Sequence, residues 1–280
     1  MELQEQILVF FESIRTDVLT VFFTTITMMA EHLFLVVLLA ILYWTVDKRK
    51  SRRLAWFMLF NSASNGIMKS IVNMPRPFDK GVVKPIRMET ATGSSFPSGH
   101  TQTATSFWMG SMLILRTKAS ILLGIIMIVL TALSRLYLGV HWPMDVVAAI
   151  GFGIIFTYFA SLLIDEEAKF TEFHVIGSSL VCLAFLIFNV EADLYKAAAA
   201  LWGLCIGSYF EEKYIQFEVK GSRRYQITKI VVGIVGVLVI YIGMSKLLPV
   251  IKIVSMVKYA LVIVWIMAGA PYLFNKLKKR

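Results

Sequence analysis

The sequence predicts an all-α fold: a polytopic membrane helical bundle of about nine transmembrane helices, preceded by an N-terminal interfacial helix. The chain has 280 residues, of which 58% are hydrophobic. Its mean hydropathy of +0.72 is too high for a soluble domain and fits a polytopic helical membrane protein. Apolar runs of about membrane length also alternate with short charged segments along the chain.

The first segment differs from the apolar runs that follow it. It is apolar but is interrupted by Glu12, Arg15 and Asp17. We therefore interpret residues 1–29 as an interfacial region of one or two short helices that does not cross the membrane. Nine apolar runs follow, at about 30–46, 54–72, 98–115, 119–137, 144–164, 174–190, 194–210, 227–246 and 253–273. The apolar runs within residues 166–280 lack the clusters of polar and charged residues found between residues 69 and 145, and they are expected to be C-terminal transmembrane helices.

Composition limits the partners and cofactors of the chain. The formal net charge is +10, but the basic residues gather between apolar runs. Membrane topology and attraction to anionic lipids explain this pattern better than nucleic acid does, so no nucleic-acid partner is expected. Cys182 and Cys205 both fall inside apolar runs and are expected to be packed thiols, with a disulfide as the alternative. The sequence shows no Cys/His cluster that predicts a metal site.

The stretch from Ser134 to Asp145 lies where two predicted spans meet the water, and charged residues there are costly unless they are used. Pro143 is placed like the first residue of a helix, which puts Asp145 in the first turn. His141 then lies close enough to donate a ring N–H to that carboxylate, leaving the other ring nitrogen as a nucleophile. Arg135 is a planar cation suited to a phosphate. The alternative is a loop in which His141 and Asp145 merely cap a helix.

A second motif opens a helix at Phe96-Pro97-Ser98-Gly99-His100. Ser98 is a good N-cap and Gly99 allows close approach of the backbone, so the helix start can seat a phosphate on its N–H groups.

A third motif lies at the end of the predicted span 54–72. Asn61, Asn65, Lys69 and Asn73 recur every four residues and make one polar stripe on a helix. In lipid this stripe must face other helices or a water-filled cavity, which points Lys69 into the bundle. The asparagines alternatively serve only as contacts between helices.

Further cations follow this motif. Arg76 comes directly after the predicted helix, before an irregular segment from residue 78 to 96. Lys80, Lys84 and Arg87 in that segment form a candidate basic lid.

The three motifs together read Lys-x6-Arg-Pro, Pro-Ser-Gly-His and Ser-Arg-x5-His-x3-Asp, in this order. The chain here resembles the type 2 phosphatidic acid phosphatase (PAP2) superfamily, which shares this signature with glucose-6-phosphatases and vanadium haloperoxidases. The resemblance covers Lys69 to Asp145 and implies a PAP2-like catalytic membrane core at residues 30–165.

The resemblance also implies a role for each motif residue. His141 is expected to attack phosphorus and become a phosphohistidine, with Asp145 orienting it. His100 is expected to protonate the leaving oxygen and then to activate water. Phosphate binding is assigned to Lys69, Arg76, Ser98, Gly99 and Arg135. No metal and no other cofactor is required, because cationic side chains do the work of divalent ions.

The charge distribution predicts the orientation in the membrane. With nine spans, one set of loops holds 16 Lys and Arg residues and the opposite set holds 7. The richer loops lie near residues 47–53, 116–118, 165–173, 211–225 and 275–280. The positive-inside rule puts them and the C-terminus in the cytoplasm, and the motifs outside, in the plasma membrane of a bacterium. Nine spans with an outer N-terminus resemble the sphingosine-phosphate phosphatase and glucose-6-phosphatase branches.

The sequence thus predicts a metal-independent phosphatase for a membrane lipid phosphate or diphosphate. Alternatives are a lipid-phosphate binding or transport protein without turnover, and a phosphatase for a soluble sugar phosphate; a haloperoxidase is disfavoured because nine spans bury the site at a membrane. Substrate candidates are polyprenyl diphosphate, phosphatidylglycerophosphate, phosphatidate and a sphingoid-base phosphate, among which the sequence does not choose. Membrane lipids are the expected surroundings, and a homodimer is left open.

Overall fold

The protein is helical, as the sequence predicts. The computed structural model describes residues 1–91, 93–188 and 190–278, and this part of the chain contains no β-strand. Its α-helices are α1 (Glu2–Ser13), α2 (Asp17–Met28), α3 (His32–Thr45), α4 (Lys48–Val72), α5 (Gly99–Leu115), α6 (Lys118–Tyr137), α7 (Pro143–Leu162), α8 (Glu172–Ile187), α9 (Ala192–Phe210), α10 (Arg223–Leu247), α11 (Lys252–Val264) and α12 (Ala270–Lys278).

Every predicted apolar run is a helix, with small shifts at the ends. The largest shift is in α4, which begins at Lys48, so the charged run around Arg52 forms its first turns and is not a loop. A π-helical turn at Trp265–Gly269 joins α11 to α12, and another at Glu211–Ile215 continues α9. The N-terminal region forms two helices, α1 and α2.

Among the residues that the structure describes, four helical segments are long and apolar enough to cross a membrane: α6, α7, α10 and the helix from Lys252 to Lys278. The pair α2 and α3, bent by 54°, becomes a fifth if it counts as one broken span, which would place α2 inside a span and not in the interface. The protein is therefore an integral membrane protein, but the predicted nine spans are not confirmed within the described residues. Three of the expected spans are short helices, since α3 has 14 residues, α5 has 17 and α8 has 16.

The chain forms two compact units, and their division falls inside α3, α4 and α7. The first unit contains residues Met1–Leu35 and Ser64–Phe159, and it holds all three motifs. The second contains residues Val36–Ala63 and the chain from Ala160 onwards.

In the first unit, α6 packs against α5, α2 and α1. One core cluster contains Leu8 of α1, Leu136 of α6, Val146 of α7, and Trp142, which directly precedes α7. Thr117 starts α6 with a reciprocal capping bond to Ser120, and this cap sets where the helix begins. The motif residues after Tyr137 therefore follow a helix that is capped at its start and packed against three other helices.

In the second unit, α9 packs against α8 and α11. Glu211 is fully buried, and its carboxylate binds Lys48 Nζ at 2.8 Å and Arg52 Nη1 at 3.3 Å. Lys48, Arg52 and Glu211 come from two segments that were expected to be charged loops, and they are paired with one another. Cys182 and Cys205 are free thiols, as expected from their apolar surroundings.

Candidate active site

His141 and Asp145 form the centre of the site. His141 lies between α6 and α7, and Asp145 lies in the first turn of α7. The His141 Nδ1 atom is 3.3 Å from Asp145 Oδ2, and both side chains are buried. Because a carboxylate can only accept, this bond requires the proton on Nδ1 and leaves a lone pair on His141 Nε2. The ring therefore presents a potential nucleophilic nitrogen on the side away from Asp145.

The Asp145 carboxylate is held by donors that the motifs do not include. Its Oδ2 atom accepts hydrogen bonds from the Ser95 hydroxyl at 2.5 Å and from the Trp142 backbone N–H at 2.8 Å. Its Oδ1 atom is buried and has no hydrogen-bond partner among the described residues. Ser95 was missed from the sequence, where its only signal is that it directly precedes Phe96 of the second motif.

Arg76 reaches the opposite side of the His141 ring. Its Nη1 atom lies 3.3 Å from His141 Nε2 and donates to the Val140 carbonyl at 2.8 Å. Its Nε atom donates to the Gly93 carbonyl at 3.2 Å. The backbone thus fixes a buried guanidinium beside the ring nitrogen that carries the lone pair.

Arg135 is fully buried near the end of α6. Its Nη1 atom donates to the Thr27 hydroxyl of α2 at 2.7 Å. Its Nε and Nη2 atoms are buried without a hydrogen-bond partner in the described chain. Two donors of one guanidinium edge are therefore available to an anion, and such a pair matches the oxygens of a phosphate.

The second motif forms the start of α5. Ser98 is the N-cap: its hydroxyl accepts from the Thr101 backbone N–H at 3.4 Å. The Ser98 N–H donates to the Asp145 backbone carbonyl at 3.1 Å, which ties the start of α5 to the start of α7. A Cβ built on Gly99 would meet only an ordinary contact, 3.5 Å from Asn65 Oδ1. The next residue, His100, is half-buried, and its Nε2 atom has no hydrogen-bond partner among the residues described.

The polar stripe of α4 is buried over most of its length. Asn61, Asn65 and Lys69 are all buried, and Asn65 Nδ2 donates to Gln102 Oε1 at 2.8 Å. Asn73 differs, because it follows the end of α4 with a φ of +42°, a conformation that asparagine tolerates at helix ends. The stripe therefore places Lys69 inside the first unit, close enough for its charge to act on His141.

The positive charges of three motif residues act on His141. Burial lowers the pKa of His141 well below its usual value, and the charges of Arg76, Arg135 and Lys69 lower the pKa further. The ring is therefore neutral at ordinary pH, as a nucleophile must be. In the described chain, no group of three or more His, Cys, Asp and Glu side chains could hold a metal ion.

The lid cations lie in different surroundings. Lys80 is exposed, with its Nζ atom 5.8 Å from the centre of the Trp142 ring. The exposed Lys84 is anchored through its backbone, because its N–H donates to Glu12 Oε1 at 2.8 Å. Arg87 forms an ion pair with Glu31, at 2.7 Å. One of the three cations is thus already paired with a carboxylate.

Comparison with known sequences identifies the family. Residues 50–169 match the sequence model of the PAP2 superfamily, and residues 195–280 match a second one described as a PAP2 superfamily phosphatase transmembrane extension. The two matches together cover more than half of the chain, and the first contains all three motifs. This chain belongs to the PAP2 superfamily.

Several curated relatives carry phosphatase names. The chain is 26% identical to sphingosine-1-phosphate phosphatase 2 of Mus musculus over 196 residues, which are 64% of this chain and 55% of that protein. It is 38% identical to an undecaprenyl-diphosphatase of Sulfolobus acidocaldarius over 86 residues, which are 29% of this chain and 39% of that protein. The chain thus spans about half the length of the curated relatives it matches.

A solved structure shares the fold. It is a PAP2 type phosphatidylglycerolphosphate phosphatase from Bacillus subtilis, matched with a TM-score of 0.51 and 22% identity. The match covers 60% of this chain and 87% of that one. At this identity the likeness supports the helical PAP2 fold alone.

Proposed function

We propose that this protein is a phosphatase that hydrolyses a membrane lipid phosphate or diphosphate through a phosphohistidine on His141. The observation that carries the proposal is the orientation of His141 between two partners. Asp145 lies at one ring nitrogen and Arg76 at the other. A neutral imidazole with its lone pair on the side away from Asp145 can attack phosphorus, and a guanidinium beside that nitrogen can bind the phosphoryl oxygens.

In the first step, His141 Nε2 attacks phosphorus, and an N–P bond forms as the bond from phosphorus to the leaving oxygen breaks. His100 supplies the proton that the leaving oxygen takes. The charge that develops on the ring is stabilised by Asp145, whose Oδ2 atom is already bonded to His141 Nδ1. The lipid then leaves, as the alcohol if the substrate is a monophosphate and as the lipid monophosphate if it is a diphosphate.

In the second step, water attacks the phosphohistidine. His100, now neutral, accepts a proton from this water, the N–P bond breaks, and inorganic phosphate is released with His141 restored. Lys69, Arg76 and Arg135 stabilise the negative charge on the phosphoryl oxygens in both steps. The Ser98 hydroxyl and the N–H of Gly99 at the start of α5 complete the phosphate seat.

The substrate class is proposed from the relatives together with the membrane setting. The matched proteins are named for sphingosine phosphate, undecaprenyl diphosphate and phosphatidylglycerol phosphate, each a phosphate ester of a lipid. The apolar helices would keep such a substrate in hydrocarbon while its headgroup reaches His141. Among monophosphates and diphosphates, the ion pair of Arg87 with Glu31 favours a monophosphate, because it engages one cation that a second phosphate would need.

The proposal extends to the side of the membrane. Counted for nine spans, 16 basic residues lie in or beside one set of connections and 7 in or beside the opposite set, which supports an extracytoplasmic site. The variant Glu89→Cys, at an exposed position of the 78–96 segment and with Cys182 and Cys205 replaced, should react with an impermeant thiol reagent in intact cells. Labelling that requires cell lysis would place the site on the cytoplasmic side.

The activity is tested with purified protein and a panel of lipid phosphates and diphosphates in mixed micelles. The wild type should release phosphate from at least one lipid, and quenching in alkaline detergent should trap base-stable, acid-labile phosphate on the protein. His141→Asn should show neither. His174→Asn is the matched control, because the His174 ring bonds Thr171 and the Leu163 carbonyl, in the second unit.

The outcomes separate the candidate functions. Turnover by His141→Asn would exclude the phosphohistidine. Tight binding of a lipid phosphate by the wild type without phosphate release would favour a binding or transport protein. A preference for glucose 6-phosphate over every lipid would favour a soluble sugar phosphate as substrate.

A further inference from the structure

The buried guanidinium of Arg135 has a single side-chain anchor in the described part of the chain. Its Nη1 atom bonds the Thr27 hydroxyl at 2.7 Å, while Nε and Nη2 have no partner there. Thr27 is itself completely buried. A guanidinium can bind a phosphate with two parallel hydrogen bonds only when its plane is fixed, because rotation about the side chain moves both donors away. In the described chain, one hydroxyl group supplies the hydrogen bond that fixes the plane of Arg135.

That hydroxyl comes from α2, outside the segments that the PAP2 models match, which begin at residue 50. Further contacts hold α2 against the end of α6. The Thr20 hydroxyl lies 2.9 Å from the Tyr137 hydroxyl, and the rings of Phe23 and Tyr137 are 4.6 Å apart. These contacts fix the position of α2 along the axis of α6.

The turn before α2 completes this attachment. Arg15 donates from Nε and Nη2 to the Tyr137 carbonyl, at 3.1 and 2.9 Å. A cation at that carbonyl satisfies the C-terminal end of α6, two residues beyond Arg135. The N-terminal helices thus bind the same turn of α6 that carries the phosphate-binding arginine.

We propose that Thr27 is a positioning residue of the active site, which sets the plane of Arg135 so that its Nε and Nη2 atoms meet the phosphoryl oxygens of the substrate. The N-terminal segment is then part of the catalytic unit and not only a membrane attachment. This inference rests on the proposed phosphatase function, since it assigns Arg135 to the phosphate.

The test compares three single variants. Thr27→Val keeps the shape but removes the hydroxyl, and Thr27→Ser keeps the hydroxyl. Thr25→Val is the matched control, because the exposed Thr25 lies on the same helix and its hydroxyl bonds the Val21 carbonyl of α2. Each is measured for kcat and KM with the preferred lipid phosphate, for vanadate affinity, and for thermal stability.

Thr27→Val should lower kcat/KM by about 10- to 100-fold, the range for a lost hydrogen bond to a charged group. It should weaken vanadate binding in parallel, whereas Thr27→Ser and Thr25→Val should behave like the wild type. Combining Thr27→Val with Arg135→Gln should cost little beyond Arg135→Gln alone, because both changes act on one guanidinium.

Other results would overturn the inference. Full activity and vanadate affinity in Thr27→Val would show that the hydroxyl does not position Arg135. Additive losses in the double variant would show that Thr27 acts on the fold and not through Arg135. If the wild type hydrolyses no lipid phosphate, the proposed function fails, but vanadate binding by the same variants still tests the positioning role.

Discussion

The Ser95 hydroxyl donates a 2.5 Å hydrogen bond to Asp145 Oδ2, the carboxylate oxygen that also faces His141 Nδ1 at 3.3 Å. The loop before α5 thus controls the residue that orients the nucleophile. The backbone N–H of Trp142 donates to the same oxygen from the other side, at 2.8 Å. With three donors around one oxygen, the carboxylate has little freedom to rotate, and the His141 tautomer is fixed with it.

Ser95→Ala should lower kcat more than it raises KM, because Ser95 contacts the orienting carboxylate and not the substrate. A hydrogen bond to a charged group contributes about 1.5–3 kcal/mol, so we expect a loss of about 10- to 100-fold. Ser111→Ala is the control: Ser111 is also buried, but its hydroxyl bonds the Phe107 carbonyl of its own helix. Steady-state kinetics of both variants check the prediction, and a Ser95→Ala enzyme with normal kcat would contradict it.

The pH dependence should reflect the lowered pKa of His141. Burial, and then the charges of Arg76, Arg135 and Lys69, disfavour the protonated ring. Since only the neutral ring can attack, and since the pKa is lowered, activity should persist below about pH 6.5, where an ordinary histidine becomes protonated. The measurement is the acid limb of kcat/KM against pH.

A charge variant separates this effect from titration of the substrate. Arg76→Gln removes a positive charge 3.3 Å from His141 Nε2, so the pKa of His141 should rise and the acid limb should move to higher pH. Substrate titration is the same for both enzymes. An unmoved limb in Arg76→Gln would assign the limb to another group.

Vanadate should inhibit the enzyme far more strongly than phosphate does, and a chelator should leave activity unchanged. Vanadate adopts the five-coordinate shape of the transition state, to which an active site is complementary. Lys69, Arg76 and Arg135 supply the positive charge that a divalent ion supplies elsewhere. Phosphate release is measured with EDTA, and again with added magnesium. Loss of activity in EDTA that magnesium restores would show that these cations are insufficient.

The helices could be predicted from the sequence because each apolar run carries its own periodicity and end signals. Ser98 and Thr117, for instance, cap α5 and α6 where the sequence indicates. The number of membrane spans could not be predicted in the same way. An apolar run in the sequence does not show the length of its helix, which is 16 residues in α8, or the 54° bend between α2 and α3.

The motif residues could be singled out in the sequence because their order and spacing are specific, and their roles in the site stay predictions. Their supporting contacts could not: Ser95 and Thr27 are ordinary hydroxyl residues, and only the fold places them beside Asp145 and Arg135. The ion pair of Glu31 with the lid cation Arg87 is a further contact of this kind. Such contacts join residues that are 50 or more positions apart in the chain, and no local pattern records them.

The last prediction is that a long-chain lipid is hydrolysed much better than a short-chain ester with the same phosphate. Exposed apolar side chains lie on the two helices that carry Lys69 and Asp145: Ile71 is two residues after Lys69 on α4, and Val147 is two residues after Asp145 on α7. A lipid could keep its chains against this apolar surface while its phosphate lies at His141. Drawing each methylene into water would cost about 0.8 kcal/mol, so an aqueous route is excluded for a long chain. The measurement is kcat/KM for long-chain and short-chain versions of one phosphate ester in mixed micelles. If two or more methylenes stay in contact with this surface, kcat/KM for the long-chain ester should exceed that for the short-chain ester by at least about tenfold. Equal kcat/KM values for the two esters would contradict entry from the lipid phase.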